Sequence, residues 1–116
     1  MSLKNVTPNH PFVGIWHIYD MELWDEEYFN METQAYIEIA PNNLGDFQFG
    51  LVSGSLDGEI ERIADVESFS FTWQGQDEMD EANGSGWLQL TSDHEAFGSF
   101  SLHYGDSSGF KAIRAE

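Results

Sequence analysis

The sequence contains no cysteine and few basic residues. Its 116 residues include four Lys and Arg against 21 Asp and Glu, which gives a formal net charge of −17 at pH 7. Without cysteine the chain has no disulfides, no thiolate chemistry and no cysteine-bound metal. A charge of this sign repels nucleic-acid phosphates and anionic membranes. We therefore expect no nucleic-acid or membrane partner. The acidity indicates either solubility or a salty habitat on the one hand, or a cationic partner or ligand on the other.

The sequence also lacks a long apolar run. No stretch is long enough to cross a membrane as a helix, and residues 1–11 have one lysine and none of the apolar character of a secretory signal. We therefore expect a cytoplasmic protein. With 41% hydrophobic and 15% aromatic residues the chain can bury a core. Because no linker or repeat is present, residues 1–116 are predicted to form one domain, with 1–11 as a loose N-terminal arm.

Short segments rich in β-branched and aromatic residues recur along the chain, separated by Gly, Asn, Asp and Ser. Phe69, Phe71 and Trp73 alternate with Ser and Thr, which is typical of a strand with one apolar face. Because most connectors are short, consecutive strands should pair antiparallel and close into an eight-stranded up-and-down barrel. The predicted strands are 13–20, 33–40, 46–53, 56–63, 68–74, 86–91, 96–104 and 109–115.

Two connectors are longer than the others. Residues 21–32 place Trp24 and Tyr28 among acidic residues at roughly helical spacing, which predicts a short helix over one end of the barrel. Residues 76–85 are polar and acidic and end in a turn-like Asn-Gly pair, which predicts a loop. The many large aromatic residues at inward positions predict an interior that is mostly filled by side chains.

Gly14 and Trp16 form the motif G-x-W at the start of the first predicted strand, and Arg114 lies near the end of the last. This pattern resembles lipocalins, fatty-acid-binding proteins and related calycin barrels, in which the Trp closes the barrel floor and a basic residue packs across it. The resemblance implies the same floor role for Gly14, Trp16 and Arg114. Fatty-acid-binding proteins also hold the lipid carboxylate with an Arg-x-Tyr sequence, but Arg114 is followed by Ala115 and Glu116. We therefore expect no fatty-acid site.

A second resemblance spans nearly the whole chain. It rests on four stretches: W-x-I-x-x-M-E-x-W-D, G-D-F-Q-F-G-x-V-S-G, F-T-W-Q-G-Q-D-E-M-D and H-Y-G-D-S-S-G-F-K-A. These are similar to an uncharacterised family of small bacterial proteins. The resemblance implies a bacterial origin and carries no activity with it.

The meander places alternate connectors at the end opposite Trp16 and Arg114. That end should be an acidic rim without Lys or Arg, at the position where such barrels admit ligands. Its negative charge would repel an anionic ligand such as a fatty acid. The acidic residues expected there are Asp20, Glu22, Asp25, Glu26, Glu27, Glu32, Asp57, Asp77, Glu78, Asp80, Glu81 and Asp106.

The sequence favours a non-catalytic binding module over an enzyme. We expect the rim to bind a small neutral or cationic ligand, or a basic protein. Aromatic rings there could cover an apolar body or face a cation, and carboxylates could pair with its charge. In the alternative interpretation, Trp24 and Tyr28 only attach the predicted helix to the barrel. The residues expected to contact the ligand are Trp24, Tyr28, Asp77, Glu78, Tyr104 and Asp106.

A hydrolase is the alternative from another functional class. His103, Asp106 and Ser108 bring together the residue types of a nucleophile and its base, although this spacing on a hairpin more often indicates turn capping. Asp77 and Glu78 could instead act as a carboxylate pair.

The acidic stretch 77–84 superficially resembles a calcium loop. Aligning Gly84 with the EF-hand glycine puts Met79 at the first ligand position, where Asp is required. The regular motif therefore fails, and we expect no metal or other cofactor. An irregular calcium site formed by these carboxylates is the alternative to a solvated loop.

Overall fold

The computed structural model describes residues 10–115. These residues form a closed barrel in which each strand pairs antiparallel with the next and the last pairs antiparallel with the first. The predicted eight-stranded meander barrel is confirmed, as is a short helix between its first two strands. The elements are β1 (Gly14–Met21), α1 (Glu26–Phe29), β2 (Tyr36–Ile39), β3 (Leu44–Phe49), β4 (Val52–Ile63), β5 (Val66–Asp77), β6 (Asp80–Leu90), β7 (Glu95–Leu102) and β8 (Ser107–Arg114).

The floor of the barrel lies where β1 begins and β8 ends. Trp16 and Arg114 are directly opposite each other in this strand pair, and the guanidinium carbon lies 4.3 Å from the centre of the indole. The Trp16 Nε1–H donates to the carbonyl of Phe12 at 3.0 Å. Both Trp16 and Phe12 are buried, so the side chain of Phe12, just before β1, helps to close this end of the barrel.

Aromatic side chains fill the barrel interior. The buried ring of Phe100 lies 4.8 Å from Phe47, 4.9 Å from Phe49 and 5.1 Å from Phe110, measured between ring centres. Inward glycines leave room for these rings, because a methyl group on Gly86 would lie 2.5 Å from the Phe71 ring. Large and small residues therefore complement each other across the barrel, as expected for a close-packed interior.

The predicted loop at residues 76–85 is wrong. β5 extends to Asp77 and β6 starts at Asp80, so Glu78 and Met79 alone form the turn. Glu78 takes the positive φ of 62° that this turn requires. The sequence is polar because every second side chain of this hairpin is exposed. These are the paired residues Gln74 and Asn83, and Gln76 and Glu81, while the small residues Gly75 and Ala82 pair on the other face.

The turn between β3 and β4 also differs from the prediction. The expected strand at 46–53 ends at Phe49, because Gly50 has φ +58° and reverses the chain. β4 then begins at Val52, well before the predicted position. Asp57, predicted at the rim, instead lies within β4 opposite Leu44, the first residue of β3, on the side of the floor.

The predicted N-terminal arm, residues 1–11, falls largely on residues 1–9, which lie outside the described residues. His10 is described and forms a 2.7 Å hydrogen bond between its Nε2 and Asn43 Oδ1. No helix among residues 10–115 has the length and apolar character to cross a membrane.

Candidate functional site

The acidic residues concentrate at the end opposite the floor. Four connectors meet there, between β1 and β2, β3 and β4, β5 and β6, and β7 and β8. Asp20 lies just below them in β1, opposite Lys111. We call the carboxylates of these connectors and adjoining strand ends the acidic rim: Glu22, Asp25, Glu26, Glu27, Glu32, Asp77, Glu78, Asp80, Glu81 and Asp106.

The rim carboxylates have no ion-pair partner within residues 10–115. The one salt bridge of that range joins Arg62 and Glu67, with 2.7 Å between Nη2 and Oε2, on the hairpin at the opposite end. Arg114 also lies at the floor, where it is engaged with backbone carbonyls. The rim is therefore a surface of like charge without internal neutralisation.

Helix α1 covers part of the rim end of the barrel. Asp25 caps it, because its Oδ1 accepts a hydrogen bond from the Tyr28 N–H at 3.2 Å. Its last residue, Phe29, is buried in the barrel core and accepts a backbone hydrogen bond from Gly50 at 2.9 Å. At its C-terminal end, Asn30 Oδ1 accepts from the Ala35 N–H at 2.8 Å. A four-residue helix is thus held at both ends by side-chain hydrogen bonds.

Trp24 and Tyr28 are brought together by this helix. Their ring centres are 5.6 Å apart, and the Trp24 ring lies 5.3 Å from the buried Phe49. Both residues are half-buried. A methyl group at Gly50 would overlap the Tyr28 ring, so glycine is required beneath it. The pair therefore attaches α1 to the barrel and also leaves part of each ring at the surface.

Tyr28 lies close to Asp77, the last residue of β5, and to Glu78 in the turn that follows. The Leu51 N–H donates to the Tyr28 hydroxyl at 3.4 Å, and the Leu51 carbonyl accepts from the Glu78 N–H at 2.9 Å. Burial raises the pKa of the Tyr28 phenol, the Leu51 hydrogen bond opposes that shift, and the charges of Asp77 and Glu78 raise the pKa further. Four of the six predicted ligand-contacting residues thus occupy one side of the rim.

The other two predicted residues lie on the β7–β8 turn. Tyr104 is 97% exposed and packs its ring on His103, with 4.0 Å between ring centres. The Asp106 carbonyl accepts from the Leu102 N–H at 2.9 Å and closes the turn. In the described residues, Tyr104 and Asp106 make no hydrogen bond or ring contact with Trp24 or Tyr28, and the six predicted residues form two separate groups.

The geometry of His103, Asp106 and Ser108 is that of a structural turn. Ser108 is fully buried, and its hydroxyl accepts from the Leu23 N–H at 3.0 Å and donates to the Gly109 carbonyl at 2.9 Å. The His103 imidazole is exposed, and within the described residues it makes no hydrogen bond to Ser108 or Asp106. In this arrangement the serine hydroxyl connects β8 to the segment that precedes α1.

Residues 77–84 run through a tight hairpin instead of folding around a central ion. Across residues 10–115, no group of three or more His, Asp or Glu side chains is arranged to hold a metal ion. The carboxylates of the acidic rim are therefore spread over a surface and do not converge on one point.

Sequence reasoning missed the parts that Gly50, Leu51 and Ser108 play in building this end. Gly50 carried a usable signal, because a glycine between two apolar segments is typical of a turn that needs positive φ. Leu51 acts through its backbone and Ser108 acts on a residue distant in sequence, so neither left a local signal.

No protein-family model matches this chain, and comparisons with curated proteins and with solved structures likewise give no match.

Proposed function

We propose that this barrel is a non-catalytic binding module whose acidic rim engages a basic protein. The observation that carries the proposal is the set of rim carboxylates without an ion-pair partner in residues 10–115, next to two half-buried aromatic rings. In this proposal the chain is a lipocalin-like cytoplasmic barrel that binds at its rim and not in its interior.

The negative charge of the acidic rim favours a positively charged partner. Carboxylates crowded at one end repel each other, and a partner bearing Lys and Arg side chains would relieve that repulsion on binding. Complementary charge also steers encounter and raises the association rate. An anionic partner would meet the same repulsion at every approach to this end.

The packed interior supports a protein partner over a small molecule. Phe49 and Phe100 lie 4.9 Å apart, ring to ring, below the rim, which leaves little room for an enclosed ligand. The carboxylates are instead spread over several connectors. Because exposed ion pairs contribute only about 0–1 kcal/mol each, useful affinity at such a surface requires many simultaneous contacts, which a polypeptide can supply.

Trp24 and Tyr28 provide the specific element within this charged surface. Tyr28 lies near the charges of Asp77 and Glu78, and Trp24 packs against Tyr28. A guanidinium or ammonium group bound there would meet both an aromatic ring and carboxylates. A cation over an aromatic ring contributes about 0.5–2 kcal/mol. We expect this side of the rim to contribute more to affinity than the carboxylates of the other connectors.

Fluorescence anisotropy with a labelled peptide of alternating Lys and Arg tests the proposal. The rim variant carries Asp77→Asn, Glu78→Gln, Asp80→Asn and Glu81→Gln. A matched control carries Asp57→Asn, Glu59→Gln, Asp65→Asn and Asp93→Asn, all at exposed positions away from the rim. Both variants change the net charge by the same amount.

We expect the rim variant to lose at least about tenfold in affinity, a difference of about 1.4 kcal/mol, and the control to lose much less. Binding should weaken from 0.1 M to 1 M salt as the Debye length falls from about 10 Å to about 3 Å. Equal losses in both variants would show that net charge alone attracts the peptide. A melting-temperature rise with spermine but no binding of the peptide would assign the rim to a small cation and overturn the protein partner.

A further inference from the structure

One face of this acidic protein carries no charge. Residues 68–76, 83–89 and 97–101 contain no Asp, Glu, Lys, Arg or His. They pair side by side in β5, β6 and β7. Their outward positions hold Ser, Thr, Asn and Gln side chains together with two aromatic residues. We call this surface the neutral face.

Trp87 is the main aromatic residue of the neutral face. It lies opposite Ser70 on β5 and Ser99 on β7, and its side chain is 37% exposed. The Phe97 ring packs against it edge to face, with 5.7 Å between ring centres. A large apolar ring at the surface that is fixed by a second ring is a feature of binding surfaces.

Hydroxyl groups surround this indole. Ser85 is exposed and Ser99 is half-buried, and neither hydroxyl makes a hydrogen bond to another residue of the range 10–115. Further along, the Ser107 hydroxyl donates to Ser101 at 3.0 Å. The aromatic ring therefore lies among donors and acceptors that a ligand could use.

A cleft of about 350 Å³ continues the neutral face toward the β7–β8 turn. Asn83, Ser85 and Ser101 line it, together with the rings of His103 and Tyr104, which contact each other at an interplanar angle of 47°. Trp87 pairs with Ser99 on β7, and His103 follows Ser99 by four residues. His103 therefore lies about 13 Å from Ser99 in the direction of the strand. Aromatic rings thus stand at both ends of a strip of hydroxyl and amide groups.

We propose that the neutral face binds a neutral carbohydrate chain. A pyranose ring has an apolar C–H face that packs on an indole and a rim of hydroxyls that both donate and accept hydrogen bonds. Trp87 matches the first property, and Ser85 and Ser99 match the second. The two aromatic positions, about 13 Å apart, fit an extended oligosaccharide better than a single sugar.

Charge argues against the other occupants of this surface. Residues 68–76, 83–89 and 97–101 offer a charged ligand no counter-charge. Charged side chains stand only on the flanking strands, where Lys111 lies opposite Phe97 and Glu61 accepts from the Ser70 hydroxyl at 2.9 Å. A second copy of the chain would bring a further −17 to the complex and be repelled at low salt. This inference is independent of the proposed partner at the acidic rim.

Native-gel affinity electrophoresis tests the inference with the intact chain. Gels would contain soluble starch, dextran, xyloglucan or mixed-linkage β-glucan, and alginate would serve as the anionic comparison. We expect at least one neutral polysaccharide to retard the protein and alginate to leave its mobility unchanged. Trp87→Ala should weaken that retardation at least tenfold, whereas Trp87→Phe should retain most of it because the ring remains.

Trp24→Ala is the matched control, since it removes an aromatic residue at the acidic rim and should not alter retardation. Circular dichroism would verify that each variant folds. Mobility unaffected by all four neutral polysaccharides would overturn the inference, as would wild-type retardation of Trp87→Ala. Dimerisation of the wild-type chain that is lost in Trp87→Ala would assign the surface to self-association instead. If the protein does not bind the basic peptide but is still retarded by a neutral polysaccharide, that result would contradict only the proposed function of the acidic rim.

Discussion

The Arg114 guanidinium stacks on the Trp16 indole across the strand pair that joins the two ends of the described chain, with 4.3 Å between its central carbon and the ring centre. It also donates to three backbone carbonyls, those of Pro11 and Val13 at 2.7 Å and that of Asp93 at 2.9 Å. One side chain thereby connects β1, β8, the residues before β1 and the β6–β7 connector.

We therefore expect Arg114→Ala to lower the free energy of unfolding by about 2 kcal/mol, since hydrogen bonds from a charged group contribute about 1.5–3 kcal/mol. Arg114→Lys should recover only part of this loss, because an ammonium lacks the planar fork that reaches several carbonyls. Urea denaturation measures both values. Arg62→Ala is the control, because its exposed salt bridge with Glu67 should contribute less than about 1 kcal/mol. Equal effects at both arginines would contradict a special role for Arg114.

Gly50→Ala should destabilise the barrel by about 1–3 kcal/mol. The residue has φ +58°, and an added methyl group would overlap the Tyr28 ring. Gly109→Ala is the matched control, because the nearest atom to its added carbon would be 3.6 Å away. In combination with Tyr28→Ala, the steric part of the Gly50→Ala effect should disappear and the backbone part should remain. Additive losses in the double variant would show that Tyr28 does not pack on Gly50.

Ser108→Ala should lower the free energy of unfolding by about 1–3 kcal/mol, because it leaves the Leu23 N–H without its acceptor. Ser107→Ala, at an exposed position one residue earlier, should change it by less than about 0.5 kcal/mol. Thermal or urea unfolding separates the two. A hydrolytic activity that Ser108→Ala abolished without loss of stability would reverse the structural assignment of this hydroxyl.

Alkaline pH should destabilise the protein through Tyr28. Burial is the largest cause of its raised pKa, so above the ordinary tyrosine value of 10.0 the unfolded chain releases the phenolic proton while the folded chain keeps it. The stability that this group contributes is present below about pH 10 and is lost as the pH rises toward its folded pKa. Urea denaturation from about pH 8 to about pH 11 should show a shallower decline for Tyr28→Phe than for the wild type. Identical declines would mean that Tyr28 titrates as it does in the unfolded chain.

The barrel could be predicted because its strands obey a local rule. Phe69, Phe71 and Trp73 are buried at alternate positions, and the short connectors leave consecutive strands little choice but to pair with each other. The β5–β6 hairpin was missed for a physical reason. Its turn is made by Glu78 at positive φ, without the glycine or asparagine that usually indicates such a turn.

The candidate site could be predicted only in part. The meander alone places Trp24 and Tyr28 at the same end as Asp77 and Glu78. The neutral face depends on register, because Trp87 lies beside Ser70 and Ser99 only once β5, β6 and β7 are aligned. No periodicity within one strand contains that information.

The seam between β1 and β8 has a consequence for how the chain folds. Every other strand pair joins neighbours in sequence and closes a much smaller part of the chain, whereas this pair must bring together nearly the whole described chain. Loop-closure entropy makes such a contact slow to form relative to the local hairpins. The open meander should therefore assemble first and the seam close last, so that weakening the seam accelerates unfolding far more than it slows refolding.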